Sequence, residues 1–106
     1  MRGKRFFKRN CEIWERMGSL GGLEDDVVFC VRKKVTKVCC DALNDYADGI
    51  PSGVLGDRFY VSRGVGGTHV IRERTGKYEF DEPRAVCESA NYASVCAAAL
   101  NADYLK

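Results

Sequence analysis

Hydrophobic and polar positions repeat along this chain with two different periods, and the switch between them predicts its elements. In KRFFKRNCEIWERM, residues 4–17, either Phe7, Cys11, Trp14 and Met17 or Phe6, Asn10, Ile13 and Met17 share one side at spacings of three and four. Arg5, Lys8, Glu12 and Glu15 fill the other side. That period predicts an amphipathic helix, ended by Gly18, Gly21 and Gly22. In LEDDVVFCVRKKVTKVCCDALNDYADGIP, Val28, Val31, Val35, Val38, Ala42 and Tyr46 make a longer stripe that predicts a second helix. Glu24, Asp25 and Asp26 occupy its expected first turn, where carboxylates complement the helix dipole. Gly49 and Pro51 stop it. The run VVFCV alone also reads as a buried strand; length and end signals favour the helix.

Beyond the loop PSGVLGD the period shortens to two. RFYVSRG, THVIRER and KYEF are separated by Gly66-Gly67 and Thr75-Gly76, which predicts three short antiparallel strands. Phe59, Val61, one of Val70 or Ile71, Tyr78 and Phe80 would form their buried face. The last segment, PRAVCESANYASVCAAALNADYLK, returns to a helical period through Val86, Ala90, Ala93, Ala97 and Leu100. Asp81 or Glu82 would cap this helix, with Pro83 in its first turn. The expected architecture is α+β in the order ααβββα: two N-terminal helices, a three-stranded antiparallel sheet and a C-terminal helix packed on the sheet. Residues 1–106 form one domain, in which 1–22 is a loosely attached N-terminal helix and 57–101 a βββα unit. No internal repeat and no low-complexity tract is expected.

Charge changes this picture little. Seventeen Lys and Arg against fifteen Asp and Glu leave a formal +2, so only local patches distinguish partners. No stretch approaches a membrane span. The basic start MRGKRFFKRN is followed by Glu12, Glu15 and Arg16 rather than an apolar run and cleavage site, so an unprocessed cytoplasmic protein is expected. In a reducing compartment the six cysteines, Cys11, Cys30, Cys39, Cys40, Cys87 and Cys96, read as free, packed thiols. No C-x-x-C pair marks a zinc site, and metal or disulfides remain the alternatives. No cofactor is expected.

Candidate chemistry is sparse. His69 is the sole histidine, and no cysteine sits in a recognisable nucleophile setting. Asp25-Asp26 and Asp81-Glu82 fall where helices are expected to begin. GVGG lacks the lysine and following helix of a phosphate loop. A non-enzyme is therefore expected. Two basic features remain as candidate partner-binding sites. One is Arg2, Lys4, Arg5, Lys8 and Arg9, interleaved with Phe6 and Phe7. The other is the hairpin carrying Arg58, Tyr60, Arg63, Arg72, Arg74 and Lys77. Guanidinium groups on a sheet suit phosphates or carboxylates, and Glu73 and Glu79 among them favour a protein partner.

FYV at 59–61, GGTHVI at 66–71, TGKYEF at 75–80 and ANYASVCAAALN at 90–101 resemble a βββα unit of short phage and prophage proteins. The resemblance implies a phage or mobile-element accessory protein. Its expected function is that of an anti-CRISPR-like inhibitor, which binds a host protein or ribonucleoprotein complex and occludes a functional surface. The alternative is a nucleic-acid-binding module using the basic N-terminus and the hairpin arginines. Val27, Phe29 and Trp14 cannot all face one core, which makes a homodimer reasonable in either case.

Overall fold

The computed structural model describes residues 4–17, 23–50, 53–54, 56–76 and 81–106. It contains six strands and two helices in the order βββαβββα. Strand β1 is Phe6–Arg9, β2 Glu12–Met17 and β3 Leu23–Cys30; α1 is Lys33–Ala47. Strand β4 is Phe59–Arg63, β5 His69–Glu73 and β6 Glu82–Cys87; α2 is Ala90–Tyr104. One antiparallel sheet runs β1-β2-β3-β6-β5-β4.

This corrects the expected ααβββα architecture with its three-stranded sheet. The segment 4–17 is a hairpin, not a helix. Asn10 takes a left-handed conformation at φ 54°, and Phe6 pairs with Glu15 while Phe7 pairs with Trp14. Residues spaced three or four apart on either side of such a turn mimic a helical stripe. Farther on, residues 23–30 are strand β3 rather than the start of the second helix, so Glu24, Asp25 and Asp26 complement no helix dipole. VVFCV is accordingly strand to Cys30, and the helix begins only at Lys33. Of the three strands expected in the second half, two correspond to β4 and β5, and KYEF lies outside the described residues. The third described strand, β6, holds Pro83 where a helical first turn was expected. Ser89 caps α2 instead, its Oγ accepting from the Tyr92 N–H at 3.4 Å.

The expectation of no internal repeat also fails. Arg5-Phe6-Phe7 matches Arg58-Phe59-Tyr60, and Ile13, Glu15, Arg16 and Gly18 match Ile71, Glu73, Arg74 and Gly76. Cys30, Val38, Cys39, Ala42, Leu43 and Asn44 match Cys87, Val95, Cys96, Ala99, Leu100 and Asn101. The two βββα halves are thus related by a pseudo-dyad normal to the sheet. It passes between β3 and β6, where Phe29 faces Val86 in register.

Contacts repeat across that axis. Asn44 accepts from the Phe6 N–H at 2.8 Å and donates to the Phe6 carbonyl at 3.0 Å. Asn101 does the same for Phe59, at 2.8 and 3.1 Å. Each asparagine thereby closes a peptide on the outer edge of an edge strand, a row of groups that would otherwise invite strand pairing. Arg5 donates to Glu15 at 2.7 Å and Arg58 to Glu73 at 2.8 Å. The core lies between the helices and one sheet face: Phe6, Ile13, Val28, Cys30, Phe59, Ile71, Ala85 and Cys87 meet Cys39, Leu43, Cys96 and Leu100. Small residues dominate next to the axis, which lets both helices sit close to the central strands.

Candidate interaction surface

Because strand side chains alternate, burying one face of the sheet under both helices leaves the other turned outward. No described element packs on it. Phe29 and Val86 occupy its centre beside the pseudo-dyad, 57% and 36% exposed. Covering a phenylalanine this exposed would gain the free energy of burying its apolar surface.

Around this apolar centre lie two equivalent stations of arginine on aromatic. The Arg16 guanidinium stacks 4.4 Å over the Phe7 ring, and Arg74 stacks 4.4 Å over Tyr60. Each arginine also donates to a backbone carbonyl outside the edge strand, Arg16 to Lys4 and Arg74 to Asp57. The stations stand on opposite outer strands, separated across the sheet by five interstrand spacings, about 24 Å. Arg9 enlarges the first, lying 5.1 Å from Phe7 and 5.0 Å from Trp14 while pairing with Glu24 at 3.0 Å. The Trp14 indole N–H there is shielded and lacks an acceptor among the described residues. On the second station the Tyr60 hydroxyl donates to Asp81, and burial adds to that bond in raising the tyrosine pKa. Arg72 donates to Ser62 Oγ at 3.0 Å and to the Asp81 carbonyl at 3.2 Å.

The basic residues singled out from the sequence therefore divide. Tyr60, Arg72, Arg74 and Arg9 share the open face. Arg5 and Arg58 belong to the internal pairs with Glu15 and Glu73, and Arg58 stacks 4.6 Å over Tyr104. Lys4, Lys8 and Arg63 are exposed, whereas Arg2 and Lys77 lie outside the described residues. The two basic features are not one patch; they sit at opposite edges of one sheet. Of the three residues that cannot all face one core, Phe29 and Trp14 are turned to the open face and Val27 is buried at 5% exposure; sequence reasoning missed Arg16, because the helix assigned to 4–17 hid the alternation that turns it outward.

Acidic groups limit what this face can take. Carboxylate oxygens of Asp25, Asp26 and Glu88 lie within 4.8 Å of one another. Burial, then repulsion from Asp25 and Asp26, raises the Glu88 pKa. Nothing described resembles a nucleophile–base pair. His69 stands opposite Cys87 in register, yet that thiol is fully buried. A cleft of about 320 Å³ between α1, α2 and β4 is lined by Val35, Val38, Phe59, Leu100 and Tyr104. Of its two carboxylates, Glu73 is already held by Arg84 at 2.6 Å and Arg58 at 2.8 Å, and Asp103 lies 4.0 Å from Lys34. No helix is long and apolar enough to cross a membrane among the described residues. No protein-family model, curated protein or solved structure matches the chain.

Proposed function

We propose that this chain is a non-enzymatic interaction protein that binds a protein partner through the open sheet face and acts by occluding the partner's own working surface. One observation carries the reading: an exposed aromatic, Phe29, at the centre of an uncovered sheet, flanked on both sides by arginine–aromatic stacks. Exposed aromatic and arginine side chains are the types that anchor protein interfaces. Acidic Glu24, Asp26 and Glu88 interleave with the cations, which favours a protein over a polyanion. The proposed setting is a phage or mobile-element accessory protein inhibiting a host defence complex in the anti-CRISPR manner. That setting rests on the resemblance of the C-terminal half, whose βββα pattern occurs twice in the chain.

A second reading, binding of single-stranded nucleic acid, draws on the same stacks, since bases pack on aromatic and guanidinium planes. Pull-down from bacterial lysate with and without nuclease separates the two, using the wild type, Phe29→Asp and a helix-side control, Lys37→Ala. The protein reading expects a stoichiometric partner that survives nuclease, is lost with Phe29→Asp and is kept with Lys37→Ala. Recovery of nucleic acid alone, falling steeply with salt, favours the second reading. A partner retained undiminished by Phe29→Asp rejects the open face.

A further inference from the structure

The two halves of the molecule are not filled alike. In the first, Tyr92 reaches across from α2: its ring meets Phe6 edge-on at 5.3 Å, and its hydroxyl donates to Glu15 Oε1 at 2.8 Å. The two helices have equal length and start 57 residues apart, at Lys33 and Ala90, so the counterpart of Tyr92 is Val35. Val35 lines the cleft of about 320 Å³ together with Phe59 and Glu73, the counterparts of Phe6 and Glu15. The cleft therefore stands where the other half holds a tyrosine ring.

Its lining suits such a ring. Val38 and Leu100 are apolar walls, and Tyr104, whose counterpart is Ala47, packs edge-on to Phe59 at 6.4 Å. The carboxylate also keeps room for a hydroxyl. Glu15 Oε2 takes Nε and a terminal nitrogen of Arg5 at 2.7 and 2.5 Å, which leaves Oε1 to Tyr92. Glu73 Oε2 takes the same two nitrogens of Arg58 at 2.8 and 2.7 Å. Among the described residues, Glu73 Oε1 accepts from Arg84 Nε alone, at 2.6 Å, and a carboxylate oxygen can accept twice. Arg84 comes from the strand side, at the bulge position that Val27 holds in the first half, so it does not take the place of the ring. At the mouth, Lys34 is 84% exposed and only loosely paired with Asp103, at 4.0 Å, and Lys106 stands beside them. A volume at the low end for ligand pockets fits a single ring rather than a larger cofactor.

We propose that this cleft binds a small 4-hydroxyphenyl carboxylate. The ring lies against Phe59 and Tyr104, the hydroxyl donates to Glu73 Oε1 as Tyr92 does to Glu15, and the carboxylate faces Lys34 and Lys106 at the mouth. The site is on the helix side of the sheet and independent of the open face. Titration of the full chain with 4-hydroxyphenylacetate, followed by two-dimensional NMR, is the test. We expect saturable shifts centred on Val35, Val38, Phe59 and Tyr104, with a Kd of about 0.1–1 mM for a ligand of this size. Phenylacetate, which lacks the hydroxyl, should bind about tenfold more weakly, the loss of one hydrogen bond to a charged acceptor. Val35→Tyr supplies the ring from within the chain and should abolish binding while raising the melting temperature. Should that variant not fold, Lys34→Glu, at a fully solvated position, should weaken binding about threefold, the scale of an exposed ion pair. Phe29→Asp should bind as the wild type does. No saturable shift up to about 10 mM overturns the proposal. So does equal binding of phenylacetate, undiminished binding by Val35→Tyr or by Lys34→Glu, or loss of binding in Phe29→Asp.

Discussion

Replacing Asn101 by alanine tests the fold at its most specific contact. The side chain is 5% exposed and satisfies both the N–H and the carbonyl of Phe59, a residue itself 8% exposed. Truncation leaves one buried donor and one buried acceptor without partners. At about 1–3 kcal/mol each, the expected loss is about 2–6 kcal/mol. That is a large fraction of the roughly 5–15 kcal/mol that holds a domain of this kind together. In urea, with a slope of about 2 kcal/mol/M, the midpoint falls by about 1–3 M at unchanged slope. Asn44→Ala should lose a similar amount, because Asn44 makes the same two bonds to Phe6. Asn101→Asp keeps an acceptor for the Phe59 N–H but sets an anionic oxygen against the Phe59 carbonyl, so at neutral pH it should not rescue the alanine variant. Urea titration followed through the single Trp14 and through far-ultraviolet circular dichroism measures all three variants. A loss below about 0.5 kcal/mol for Asn101→Ala, the level of an ordinary surface substitution, refutes the reasoning.

The remaining predictions concern charge and the open face. Burial pushes the Glu73 pKa up, but hydrogen bonds from Arg84 and Arg58 outweigh it and hold the carboxyl below 4.5. Its stabilising contribution is thus present above pH 4.5 and lost as pH falls through the lowered value; Glu73→Gln should destabilise at pH 7 and flatten the acid limb of a melting-temperature profile. Glu88 has the opposite sign: its pKa lies above 4.5 in the folded chain, so ionisation opposes folding as pH rises through that value. Glu88→Gln should therefore raise the melting temperature at pH 7 and leave it unchanged near pH 3. Arg16→Ala and Arg74→Ala should each cost about 0.5–1 kcal/mol, the scale of an exposed cation–π stack, and chemical denaturation should show the two losses to be alike. Phe29→Asp should leave stability within about 1 kcal/mol while abolishing partner capture, since Phe29 is 57% exposed; a severe loss of stability would place its ring in the core.

Part of this was legible in the chain. Gly66-Gly67, with φ 68° and 80°, punctuates the β4–β5 hairpin as the dipeptide suggests, and the alternation in RFYVSRG sets Phe59 inward and Tyr60 outward. The duplication was also written there, in R-F-[FY], I-x-E-R-x-G, C-x8-C and A-L-N. A fixed-period comparison misses it because Arg5 to Ile13 spans eight residues, whereas Arg58 to Ile71 spans thirteen. The 3-10 turn Val65–Gly67 lies within the longer span.

By itself, then, the sequence determined local backbone choices wherever glycine or strict alternation left one option, as at β4 and β5. Tertiary structure decided the rest. Phe6, Ile13 and Val28 suit a helical stripe and a pleated face equally well, so their element was chosen by whichever arrangement let two half-domains bury a common core. The pairing of β3 with β6 made that choice. It joined segments 57 residues apart, Cys30 to Cys87 in the alignment of the halves, buried Cys30, Cys39, Cys87 and Cys96 in the common core and left Phe29 facing outward. Local periodicity carries no record of such a pairing, because the free energy that fixes it comes from apolar area buried between segments distant in the chain.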